Sequence, residues 1–232
     1  MARKRTSSGR ALKQRVRSGG GRSTGSVRWL ARQLNDPYVR RARDEGYRSR
    51  AAYKLIELDD RFQFLGPGKR VVDLGAAPGG WTQVALARCR AGGTRGSQVV
   101  ALDLAAMDAV PGAILLRHDF LAEDAPARLR AVLDGAPDLV LSDMAAPATG
   151  HKRTDQLKVM ALCEAALDFA LESLAPGGGF VAKVLKGGAE QALVQRMRRD
   201  FAQVRHAKPP ASRKDSAESY VVATGFRGRP EP

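Results

Sequence analysis

A lysine stands inside GFVAKVL, residues 179–185, a run that is otherwise apolar apart from its leading glycine. Lys183 is costly there unless it is paired or reaches the rim of the structure. An aspartate, Asp143, closes another apolar run in LVLSDMAAP. A carboxylate that ends one parallel strand and a lysine that lies within another and reaches the rim share the same crevice. Together they suit a hydroxyl that must lose its proton, or whose developing alkoxide must be stabilised, while it attacks an electrophile.

A second constellation precedes it. In VVDLGAAPGG, residues 71–80, small residues let the backbone turn sharply and come close to a ligand. The segment is not GxGxxG, and it lacks the Lys-Ser/Thr of a phosphate-binding loop. Asp73, just before the turn, repels a pyrophosphate and suits an ammonium group. Asp103 and Asp119 follow the next strand candidates, so a ligand lying across this rim meets one carboxylate at ribose hydroxyls and another at an adenine amino group. S-adenosylmethionine, with its ammonium, sulfonium, ribose and adenine, fits that list. Trp81 either closes over the amino-acid portion or packs the start of its helix.

These residues need a sheet to position them. Strand candidates are Arg70–Leu74, Gln98–Leu102, Ala113–Arg117, Asp138–Ser142 and Gly179–Leu185, with helical patterns between most of them. That alternation predicts an α/β fold with a doubly wound, mostly parallel sheet. Ser49 is placed to cap a helix running to about Phe62, with Ala52, Leu55 and Ile56 facing the core. A further helix is expected over Thr154–Leu174, closed by Pro176-Gly177-Gly178. Val204–His206 and Tyr220–Thr224 flank KPPASRKDSAES, which is too short for a helical crossover. The expectation is an antiparallel C-terminal hairpin carrying a long substrate-side loop.

Charge indicates the partner. Lys and Arg total 39 against 24 Asp and Glu, and residues 1–50 alone hold 15 basic and 3 acidic side chains, +12 of the net +15. Such a field draws phosphate backbones. A solubilising tail and an anionic membrane surface are the alternatives, the latter weakened by the lack of an apolar helical stripe. Residues 1–27 are expected to be a flexible basic extension, 28–226 the folded domain and 227–232 a polar tail. The basic start leads into Lys, Arg, Ser and Gly and not into an apolar core, so a cytoplasmic location is expected. Cys89 and Cys163 have neither metal-ligand nor disulfide spacing, no metal site is expected, and nothing demands more than a monomer.

The motifs RSRAAYKLIELD, VVDLGAAPGGWTQ, LVLSDMAAPATG, FVAKVLKGG and SAESYVVATGF together resemble the bacterial FtsJ family of 23S ribosomal RNA large-subunit methyltransferases, over roughly residues 28–226. The resemblance implies a Rossmann-like methyltransferase fold and S-adenosylmethionine as cofactor. It implies a Lys-Asp-Lys-Glu set around the acceptor ribose at Lys54, Asp143, Lys183 and Glu218. Cofactor contacts would fall on Gly79, Trp81, Asp103, Asp119 and again Asp143. The implied product is a 2′-O-methyluridine in 23S ribosomal RNA, formed on the large ribosomal particle. Arg48, Arg50, Arg213 and Lys214 are candidates to clamp phosphates beside that set. A 2′-O-methyltransferase of another RNA and a non-catalytic ribosome-assembly factor are the competing readings.

Overall fold

A computed structural model describes residues 24–91, 93, 96–147, 149–185 and 190–228. Its elements run α1 (Thr24–Leu34), α2 (Pro37–Asp44), α3 (Ala51–Phe62), β1 (Arg70–Leu74), α4 (Gly80–Cys89), β2 (Gln98–Asp103) and β3 (Ala113–Arg117). They continue with α5 (Ala125–Val132), β4 (Leu139–Ser142), α6 (Lys152–Ser173), β5 (Gly179–Leu185), α7 (Glu190–Asp200), β6 (Phe201–Ala207) and β7 (Glu218–Phe226). The strands form one sheet of seven in the order β3-β2-β1-β4-β5-β7-β6. The pairs from β3 through β5 are parallel, and β7 joins β5 and β6 antiparallel. This is the doubly wound, mostly parallel sheet expected from the alternation, with β7 of the antiparallel C-terminal hairpin inserted between β5 and the edge strand β6.

Both faces of the sheet are covered, which explains why its strands read as continuous apolar runs. On one face Val72, Leu74, Val100, Val140 and Phe180 pack against Leu129 of α5, Leu167 of α6 and Met197 of α7. On the other, Val71, Val99, Leu141, Val181 and Val222 meet Leu55 and Leu58 of α3 and Trp81 and Val84 of α4. Cys89 and Cys163 are buried free thiols within these cores.

Two local expectations are corrected. Ser49 does not cap α3: Arg50 occupies the N-cap position with no side-chain cap bond, and the buried Ser49 hydroxyl has no hydrogen-bond partner. Residues 24–27, counted by composition with the extension, begin α1. The rest of that extension, residues 1–23, lies outside the described residues, as do the last four residues of the polar tail. No helix of the described residues is long and apolar enough to cross a membrane.

Candidate active site

Sheet order puts β1 between β2 and β4, so connections leave the carboxyl ends of β1 and β4 in opposite directions and open a crevice between them. Asp143, immediately after β4, projects into it. The β5–β7 register places Lys183 opposite Tyr220 and Leu185 opposite Glu218. Period-two alternation gives these side chains one face, the face on which α3 lies, and α3 contributes Lys54 from above.

The four residues implied by the family resemblance are thus brought into one chain of contacts. Lys183 Nζ donates to the Asp143 carbonyl oxygen at 2.6 Å and lies 3.1 Å from its Oδ1. Lys54 Nζ stands 3.8 Å from Asp143 Oδ2 and donates to Glu218 Oε2 at 2.8 Å. Ser212, from the hairpin loop, holds the other Glu218 oxygen at 2.7 Å. Lys54 and Lys183 are both nearly buried, at 8% and 9% exposure. Burial of these ammonium groups is compensated only because carboxylates meet them. Burial alone would raise the Asp143 pKa, but Lys183 and Lys54 beside it, with hydrogen bonds from Lys183 and Tyr220, hold it below the usual carboxylate range. Asp143 is therefore an anion at neutral pH.

Beside this set lies a cleft of about 550 Å³ lined by Gly75, Asp103, Asp119, Phe120, Asp143 and Met144, among others. That volume falls within the range of small-molecule sites. Gly75, at φ +76°, is required here, because a Cβ would come within 2.7 Å of the Met144 backbone. Asp103 accepts the Ala77 amide at 2.9 Å and the Ala105 amide at 2.7 Å, tying the Gly-rich turn to the end of β2. Asp119 accepts the Leu121 amide at 3.0 Å and faces the same cleft. An acidic rim over an apolar floor fits a cationic nucleoside with an amino-acid tail.

Gly79 and Trp81 sit at the start of α4 and are buried. The Trp81 indole donates to the Ala51 carbonyl at 2.8 Å, and its ring lies 5.7 Å from that of Tyr220, so it packs its helix against α3 and β7. Asp73 lies beneath the turn and is fully buried; one oxygen accepts from Thr82 at 2.7 Å and the other has no hydrogen-bond partner. It is not placed to meet a ligand ammonium directly.

The FtsJ-like methyltransferase family matches residues 47–226, a span that contains every residue of this site. The chain belongs to that family. The large-subunit ribosomal RNA methyltransferase E of Parvibaculum lavamentivorans is 58% identical over 232 residues, covering 97% of this chain and 91% of the relative. The enzyme of the same name from Rhodospirillum rubrum is 59% identical, covering 94% of this chain and 83% of the relative. A Plasmodium falciparum crystal structure described as a ribosomal RNA methyltransferase aligns with a TM-score of 0.70 at 32% identity, over 79% of this chain and 100% of that one. As a member of this family the chain is an S-adenosylmethionine-dependent methyltransferase, and the acidic lining of the cleft is chemically compatible with such a cofactor.

The arginines divide differently from the sequence expectation. Arg48 does not reach the acceptor side; its guanidinium donates to the carbonyls of Pro78, Asp108 and Ala109 at 3.3, 2.7 and 2.5 Å. It buttresses the Gly-rich turn and packs where a Cβ on Gly79, at φ +109°, would sit. Arg48→Met should therefore weaken S-adenosylmethionine binding by about tenfold, the worth of one or two charge-assisted hydrogen bonds, and leave RNA affinity within about twofold. Calorimetry with each ligand separates this from a phosphate clamp, which would show the reverse pattern.

Arg50 and Arg213 do line a groove of about 370 Å³ beside Lys54, together with Arg32 and Ser216. Both lean on Asp36, at 3.1 and 3.5 Å, and Arg50 also donates to the Ala211 carbonyl. The Lys214 carbonyl accepts from Lys208 at 3.2 Å, and Lys214 is not among the residues lining the groove. Sequence reasoning missed Asp36, although Asp-Pro before an apolar pair is a helix-start signal, and the Asp36 side chain does accept the Tyr38 amide at 3.0 Å.

Burial carries the Asp73 pKa up to about 7, with the negative charges of Asp143 and Asp103 adding to the shift and the Thr82 hydrogen bond opposing it. The native state therefore holds a proton that the unfolded chain, near pKa ~3.9, has released. The resulting stability is full below about pH 4 and is lost as pH rises through 7, at about 1.4 kcal/mol per unit. Asp73→Asn should gain melting temperature relative to the parent as pH rises from about 5 to 8. Parallel pH profiles for the two proteins in thermal melts would refute this.

Proposed function

We propose that the chain transfers a methyl group from S-adenosylmethionine to the 2′-hydroxyl of a uridine ribose in 23S ribosomal RNA, acting on the large ribosomal particle. The observation that carries the reading is the shared carboxylate. Asp143 lines the cofactor cleft and also touches Lys183 and Lys54, so the acceptor groove and the cofactor cleft meet at one residue. The names of the relatives from Parvibaculum and Rhodospirillum support the large-subunit RNA as substrate.

S-adenosylmethionine supplies a methyl group on a positively charged sulfur. The protein's part is to hold a poor nucleophile in line and manage its proton. Lys183 has three N–H directions, two of which point at Asp143. The third is the place for the acceptor oxygen. There Nζ takes the hydroxyl proton when neutral, or compensates the growing negative charge when protonated. Lys54, anchored by Glu218, places a second positive charge beside the reacting ribose, and the Arg32–Arg50–Arg213 groove leads the phosphate backbone toward it. The 2′-hydroxyl is the group that distinguishes RNA from DNA, so the chemistry itself selects RNA.

The test offers labelled methyl donor to undermethylated large particles, free 23S RNA and transfer RNA in parallel. Preferential labelling of the particle is expected. Transfer RNA labelled in preference would move the substrate assignment, and absence of transfer from folded, cofactor-binding protein would favour an assembly factor.

A further inference from the structure

Tyr220 has no role in the transfer as described above, yet its hydroxyl reaches the carboxylate at which the two halves of the site meet. It is fully buried in β7 and its hydroxyl donates to Asp143 Oδ1 at 2.9 Å, the oxygen that Lys183 also approaches. Its ring is 5.7 Å from Trp81, which follows the Gly-rich turn, and Lys54 Nζ lies 5.8 Å from its centroid. Burial, then the negative charges of Asp143 and Glu218, push its phenol well above the ordinary value. The group therefore stays protonated and acts on Asp143 purely as a donor. Core filling does not explain it, since phenylalanine would fill the same volume and a buried hydroxyl needs a reason to be there.

We infer that Tyr220 is a positioning residue for the methyl transfer: its hydroxyl fixes the plane of the Asp143 carboxylate, so that Lys183 and Lys54 engage different oxygens and Lys183 keeps one N–H direction for the acceptor. The cross-strand pairing of Lys183 with Tyr220 makes this arrangement a property of the β5–β7 register, not of a loop. Without the hydroxyl, the carboxylate is free to turn and draw Lys183 fully onto itself. The inference rests on the proposed role of the Asp143–Lys183 pair.

The groups around Asp143 set the sign of the pH effect. Lys54 faces it from α3, Lys183 from β5 and Tyr220 from β7, with Glu218 beyond Lys54 and the carboxyl groups of Asp73 and Asp103 behind. Removing one donor to a carboxylate raises its pKa, so the acidic limb of the rate profile should move upward.

The experiment measures single-turnover transfer to large particles across pH for the parent, Tyr220→Phe, and protein carrying a fluorotyrosine at position 220. Tyr220→Phe should fold, bind S-adenosylmethionine within about twofold, slow transfer by about tenfold or more, and shift the acidic limb up by about one unit, the scale of one hydrogen bond to a charged group. The fluorotyrosine, a stronger donor of nearly native size, should shift the limb the other way. An unchanged profile in folded Tyr220→Phe, or slowing without a pH shift, overturns the inference. If Tyr220→Phe does not fold, an unchanged profile in the fluorotyrosine protein overturns it. Loss of transfer in the parent would instead strike the proposed function.

Discussion

Lys183→Ala should lose single-turnover methyl transfer by about a thousandfold or more while binding S-adenosylmethionine almost as tightly as the parent. The expectation follows from where Lys183 sits. Nζ is held on Asp143 by two contacts, at 2.6 and 3.1 Å, but Lys183 is not among the residues lining the cofactor cleft. In the proposed mechanism, removing it takes away the group beside the acceptor oxygen whether that group acts as base or as charge. The variant also leaves Asp143 with one cation fewer in a buried setting, which costs about 3 to 5 kcal/mol if the site does not relax. The transfer assay must therefore run well below its melting temperature, with calorimetry confirming bound cofactor. Undiminished transfer would remove Lys183 from the chemistry.

Asp143→Ala should fail in both halves of the site. Its carboxylate borders the cleft, neutralises Lys183 and Lys54, and receives the Tyr220 hydroxyl. Its loss strands two nearly buried ammonium groups and leaves the tyrosine hydroxyl without its acceptor. We expect stability to fall by about 3 to 5 kcal/mol in urea unfolding and cofactor affinity to drop by about tenfold or more. Transfer should fall at least as far as in Lys183→Ala. A variant that lost transfer yet kept full cofactor affinity would confine Asp143 to the acceptor side, and one of unchanged stability would contradict the buried ion network.

The contrast between the two variants is informative because their residues touch, Asp143 just past the end of β4 and Lys183 on the paired strand β5. The proposed mechanism gives Lys183 the handling of the proton and Asp143 a position shared between two ligands. If both lost cofactor binding equally, the cleft and the acceptor set would be one cooperative unit and the division of roles drawn here would fail.

The sheet was legible because its parallel strands are buried on both faces, so Arg70–Leu74 and Gly179–Leu185 stand out as apolar runs between turn residues. Lys183 was legible for the same reason, as a charge where none belongs. The sequence places residues 28–44 in the folded domain without revealing helices α1 and α2, because the stretch is dominated by basic side chains and the signal present, Asp36-Pro37, is local and easily passed over. Arg48 misled because sequence shows a charge near Lys54 but not its direction. One position before Ser49, it turns toward the carbonyls of Pro78, Asp108 and Ala109 and does not line the groove of Arg50 and Arg213. Tyr220 was invisible as more than a β-strand residue, since its link to Asp143 spans 77 positions and depends on the antiparallel return of β7. Asp73 shows the opposite failure. Its place before the turn suggested a ligand contact, but the strand buries it below the loop, where it becomes a proton-holding group.

The measurement that tests the account most directly is identification of the methylated nucleoside. Labelled methyl would be transferred to undermethylated large ribosomal particles by the parent and by Lys183→Ala, and the 23S RNA digested and resolved by mass. The parent should yield a single 2′-O-methyluridine, with an adjoining linkage that resists alkali, and Lys183→Ala none. A methyl group on a base, or equal ribose methylation by both proteins, would contradict it.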